Sequence, residues 1–116
     1  MEFDVEIVLR EQNVATTERL EYGIEASAWG EADVEAVLKD ILLAIDRTKN
    51  PEAAARFVAL RGFSWIVEPL GSAVVIAIEI PMGAAVAGPF EIEQTRLDAL
   101  IRRVIAAAAL PGPTIH

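Results

Sequence analysis

Residues 73–80 read Ala73-Val74-Val75-Ile76-Ala77-Ile78-Glu79-Ile80, and the fold turns on that run. Val74, Ile76, Ile78 and Ile80 form one alternate set and Ala73, Val75 and Ala77 the other, and both sets are apolar. A period of two is that of a β-strand, and apolar residues on both sides suit a strand covered on both faces. Immediately upstream, Phe63, Trp65 and Val67 alternate with Ser64, Ile66 and Glu68, a second strand with Gly62 as a bulge or bend near its start. Between the two, Glu68-Pro69-Leu70-Gly71-Ser72 places proline early and glycine late, the chemistry of a tight connection.

Working outward, the period changes. Val34, Val37, Leu38, Ile41, Leu42 and Ile45 fall at helical spacing and share one stripe. Glu31, Asp33 and Glu35 sit where carboxylates meet the positive end of a helix dipole, and Asn50-Pro51 closes the other end. Asn50 also offers a cap for a short second turn over residues 51–56. Further upstream, Phe3, Val5, Ile7 and Leu9 alternate with Asp4, Glu6, Val8 and Arg10. A loop over residues 11–18 then leads to a second alternation, residues 20–28, so the two predict an antiparallel hairpin. Downstream, residues 82–89 are small and read as a loop. Phe90, Leu97, Leu100, Ile101, Val104, Ile105 and Ala108 share a last helical stripe, with Asp98 and Arg102 as an outward i,i+4 pair. Leu110-Pro111-Gly112-Pro113 stops that helix.

The resulting order is ββαββα. It predicts an α+β two-layer sandwich, an antiparallel four-stranded sheet with two helices on one face, forming a single domain over residues 1–110 with a flexible tail over 111–116.

Composition removes several function classes. With no cysteine and one histidine, His116, among 116 residues, the chain has no thiolate metal cage, no cysteine nucleophile and no base for Ser64 or Ser72. The net charge is −8, and all of it belongs to residues 1–35, which hold ten acids against Arg10 and Arg19. Such a surface repels phosphate backbones and anionic lipid, so neither nucleic acid nor membrane is an expected partner, and a basic protein or a divalent cation is left open. Met1-Glu2-Phe3-Asp4 is acidic where a targeting peptide is basic and then apolar, so the expected compartment is the cytoplasm.

Two helices cover one face of such a sheet. The acidic first hairpin suits water on its other face; the second does not, because Ile66, Ala73, Val75 and Ala77 leave its back apolar. An exposed apolar patch marks an interface, so the sequence predicts a homodimer closed over those residues.

Individual side chains add less. Glu79 is the one acid in an apolar strand. Buried, it would be a general acid or base with a raised pKa, whereas at a strand end it reaches water or a base such as Arg61. Arg56, Arg61 and Trp65 together offer cations and an aromatic plane to a ligand, and Trp65, Trp29 and Tyr22 equally suit packing. Glu25, Asp4, Glu6 and Glu21 are the carboxylates a hard cation uses, but no calcium-loop spacing accompanies them, and acidic strands also deter aggregation. Residues 83–88 precede a helix as anion-binding loops do, without the Walker or dinucleotide glycine pattern. No cofactor or metal is implied. The expected function is therefore a small acidic protein-interaction module acting as a homodimer. The alternative is a small-molecule-binding protein or minor enzyme with Glu79, Arg61 and Trp65 around a pocket between helix and sheet or at the dimer seam.

Overall fold

The computed structural model describes residues 1–12, 14–50 and 59–109. Its strands are β1 (Glu2–Leu9), β2 (Thr16–Glu21), β3 (Ser64–Leu70), β4 (Ala73–Ile80) and β5 (Gly83–Phe90). The helices are α1 (Glu31–Lys49) and α2 (Gln94–Ala109), with a short 3-10 turn at Ala26–Ala28. All strands pair antiparallel in one sheet of order β2-β1-β5-β4-β3.

The α+β class, the antiparallel sheet and the two helices are as the periodicity predicts. The strand count and the order are not: the sheet has five strands, and the order is ββαβββα. The additional strand is β5, which occupies the stretch that reads as a loop of small residues and lies at the centre of the sheet, joining hairpin β1–β2 to hairpin β3–β4. Its smallness is what the position requires. Ala85 and Ala87 are buried on the helix-facing side. At Gly83 a Cβ would stand 2.3 Å from the Val8 carbonyl oxygen. Gly88, at φ +144°, lies against Val74 and Val75 where the β4–β5 register shifts, and the same irregularity accommodates Pro89, which has no N–H to give. Phe90 accordingly ends a strand and does not open α2.

The second strand is also displaced from expectation. β2 occupies Thr16–Glu21, and the polypeptide then leaves the sheet through the 3-10 turn and Trp29. Asn50 ends α1, its N–H bonded to the Asp46 carbonyl at 2.7 Å. The helical turn expected over 51–56, with Arg56, and the tail over 111–116, with His116, lie outside the described residues.

One layer of apolar side chains fills the space between sheet and helices. Phe3, Val5, Ile7 and Leu9 of β1, with Val74, Ile76 and Ile78 of β4, meet Val34, Val37, Leu38, Ile41 and Ile45 of α1 and Leu97, Leu100, Ile101 and Val104 of α2. At one end Trp29 and Phe3 both pack on Phe90, with ring centroids 5.0 Å apart in each pair, and Trp29 Nε1 donates to the Ile24 carbonyl at 2.9 Å. This buried indole keeps its one donor satisfied. Among the described residues no helix is long and apolar enough to cross a membrane.

Candidate functional site

No described residue outside the sheet covers its face away from the helices, and the composition of that face follows from register. Three cross-strand rows define it. Ile66, Ala77, Val86, Glu6 and Thr17 stand side by side from β3 to β2. One row toward one end lie Ser64, Glu79, Ala84 and Val8. One row toward the other, Glu68 faces Val75, and Asp4 faces Gly88 on one side and Arg19 on the other. Beyond these, Leu70 opposes Ala73 and Glu2 opposes Glu21.

The open face is thus divided. Its β5–β4–β3 side is largely apolar, with Ile66 and Leu70 more than half exposed (53% and 56%) and Val86 nearly so (43%), and Val8 at the end of β1 extends the patch (44%). Its floor is low, because Ala77, Ala84 and Gly88 carry little or no side chain. Two shallow depressions cross it. One of about 420 Å³ is lined by residues including Ile66, Ala77, Glu79 and Ala84, the other of about 370 Å³ by residues including Asp4, Leu70, Val75 and Gly88, and Val86 lines both. Carboxylates stand on either side: Glu2, Asp4, Glu6 and Glu21 on β1 and β2, Glu79 and Glu68 on β4 and β3. Among the described strand residues of this face the one cation is Arg19, paired with Glu2 at 3.1 Å and Asp4 at 3.3 Å, while Arg10, next after Val8 in the same alternate set, lies exposed just beyond the end of β1.

The sheet edges offer less. On β3, Pro69 supplies no N–H and the Val67 carbonyl accepts from Gln94 Nε2 at 2.9 Å. β2 is short and charged, its Glu18 carboxylate tied to Arg47 of α1. Both devices deter strand addition.

Of the residues singled out from sequence, Ile66, Ala73, Val75 and Ala77 do share the open face. Glu79 joins them there and is exposed. Trp65 lies on the opposite side of β3, half-buried, with the Arg102 guanidinium 5.5 Å from its ring centroid, so its arginine partner comes from α2. Arg61 lines a third depression, of about 510 Å³, together with Leu42, Ile45 and Ile80 beside α1. Glu79 and Arg61 therefore line different depressions. Val8, Val86 and Leu70 complete the apolar patch and escaped the sequence reading. Val86 lies in the misread strand, and Val8 looks like a lapse in an otherwise acidic alternate set.

The groups with displaced pKa values lie off this face. The Asp33 carboxyl is held below the usual carboxylate range, first by the Gly30 N–H at 2.9 Å and then by the Tyr22 hydroxyl, which donates to it at 2.8 Å. That same bond raises Tyr22. Burial raises Asp40, with Arg47 opposing. Arg96 lines a polar depression with Ser27, Ser72, Glu91 and Glu93, but its guanidinium donates to the Ser27 and Trp29 carbonyls at 2.6 and 2.7 Å, a tie between α2 and the turn before α1. Among the described residues no three acidic or histidine side chains gather as metal ligands do. Comparison with protein-family models, with curated proteins and with solved structures finds no match to the chain.

Proposed function

We propose that this protein is a small acidic protein-interaction module whose open sheet face docks a polypeptide. The observation that carries the reading is the exposure of Ile66, Leu70, Val8 and Val86 on one face, beside a β3 edge interrupted by Pro69 and Gln94. Contiguous apolar surface on a water-facing sheet is costly to leave bare and is the usual mark of a protein contact. A homodimer closing this face on itself is one form of the reading, and capture of a different chain is the other. The small-molecule alternative has less support, because its intended anchors, Glu79 and Arg61, line separate depressions.

The test is a double variant, Ile66→Lys with Val86→Lys, compared with the wild type by sedimentation at micromolar concentration and by affinity capture from an extract of the source cells. The expected result is a polypeptide, either a second copy or another chain, that the wild type holds and the variant releases. A wild-type chain that sediments alone and retains nothing the variant loses would overturn the reading.

A further inference from the structure

Resting on that docking reading, the shape and charge of the open face specify its occupant. The trough is about 26 Å long, the span of an eight-residue strand, and its low floor covers roughly two strand spacings, about 10 Å. An α-helix has that diameter, and about 17 residues of it have that length. The opposite face of the same sheet is covered in this manner, by helices of 19 and 16 residues. Ala77, Ala84 and Gly88 keep the surface low on either side of Val86, with Ile66 and Leu70 at the rim, and this suits a convex rod seated over Val86.

Charge decides what kind of rod. The strands of this face present six carboxylates and a single guanidinium, occupied by Glu2 and Asp4, and Arg10 just beyond β1 leaves the balance strongly acidic. Glu6, Glu21, Glu68 and Glu79 make no ion pair among the described residues. A second copy of this chain would bring six more carboxylates against two arginines, one of them already paired, and like charges brought together at an interface oppose binding. A helix with an apolar stripe between two rows of lysine or arginine would bury the stripe over Val86 and reach Glu6 on one side and Glu79 or Glu68 on the other. A strand is disfavoured, because Pro69 and Gln94 interrupt the β3 edge and the open face offers side chains, not backbone groups. We infer that the open face receives a basic amphipathic helix of another protein.

The probe is a synthetic peptide of about 18 residues with leucines at helical spacing and lysines flanking them, long enough to span the trough. It is titrated calorimetrically into the full chain at physiological salt, and the contact is mapped by backbone amide shifts. Two controls use the same composition in scrambled order and the same stripe with glutamate in place of lysine. The patterned lysine peptide is expected to bind at least about tenfold more tightly than either control. Val86→Ser is expected to weaken it by about tenfold, and Glu6→Gln with Glu79→Gln to weaken it and flatten its salt dependence. Shifts should fall on β1, β3, β4 and β5 residues facing away from the helices. The inference fails if the scrambled peptide binds equally, if no peptide binds, or if the shifts fall on α1 and α2. It also fails if the chain sediments as a dimer that Val86→Ser dissociates. In that last case the docking face stands and its occupant is a second copy, so the two conclusions fail separately.

Discussion

Tyr22 and Asp33 show how single residues tie the first hairpin to α1. The Asp33 carboxylate, in the first turn of α1, accepts from the N–H of Gly30, the residue that precedes the helix, and also receives the Tyr22 hydroxyl. Because the folded state depresses Asp33, its contribution to stability is complete above the unfolded carboxyl pKa near 4 and fades as pH falls through the lower folded value. Tyr22 is raised, so its share is complete below about 10 and is lost as pH climbs through the higher folded value. Asp33→Asn should therefore flatten the acid limb of a stability–pH profile measured by urea denaturation, and Tyr22→Phe the alkaline limb. Gly83 makes a sharper case. A methyl there would meet the Val8 carbonyl oxygen at 2.3 Å and Leu9 Cα at 3.0 Å, so Gly83→Ala should cost roughly 1–3 kcal/mol. Gly23→Ala, with nothing within 4 Å, should stay within about 0.5 kcal/mol in the same assay.

Among the elements, legibility tracked side-chain size. The stripes of α1 and α2 were readable because large aliphatics at helical spacing have one physical use, and β3 and β4 because period two is equally specific. β5 was hidden by the demands of its own position. A central strand beneath two helices, against the Val8 backbone on one side and Val74 and Val75 on the other, needs alanine and glycine, the residues that strand propensity disfavours. The apolar back of the second hairpin was readable from Ile66, Val75 and Ala77. Its extension to Val8 and Val86 was not, because pairing across β1, β5 and β4 sets it and pairing is not local. The same logic gives two element-level expectations. Glu2 and Glu21 oppose each other directly across β1 and β2, so Glu21→Lys should stabilise by about 0.2–1 kcal/mol in thermal denaturation. Pro69→Val together with Gln94→Ala would reopen the β3 edge, and light scattering on concentrated samples should then show growth that the parent chain does not.

For the whole molecule, the two sides of the sheet answer to different pressures. The helix-facing side is closed and apolar, while the outward side mixes exposed valine, isoleucine and leucine with carboxylates. Substitutions on the outward side should therefore separate folding from association. Ile66→Lys with Leu70→Lys is expected to leave the thermal midpoint nearly unchanged, since both side chains are already more than half exposed, while lowering retention on a hydrophobic column. A core truncation such as Leu97→Ala is expected to do the reverse, costing about 2–5 kcal/mol.

The central place of β5 also bears on how the chain is made. Residues 83–90 emerge from the ribosome after both hairpins, yet they are the only link between β1 and β4 in the sheet. Until they arrive, a nascent chain holds two separate ribbons whose inner edges, apolar and unpaired, are open to any extended segment nearby. Sheet closure joins partners some eighty positions apart, the slow kind of contact. The vulnerable interval in this protein's synthesis is therefore the one between the emergence of the second hairpin and that of β5.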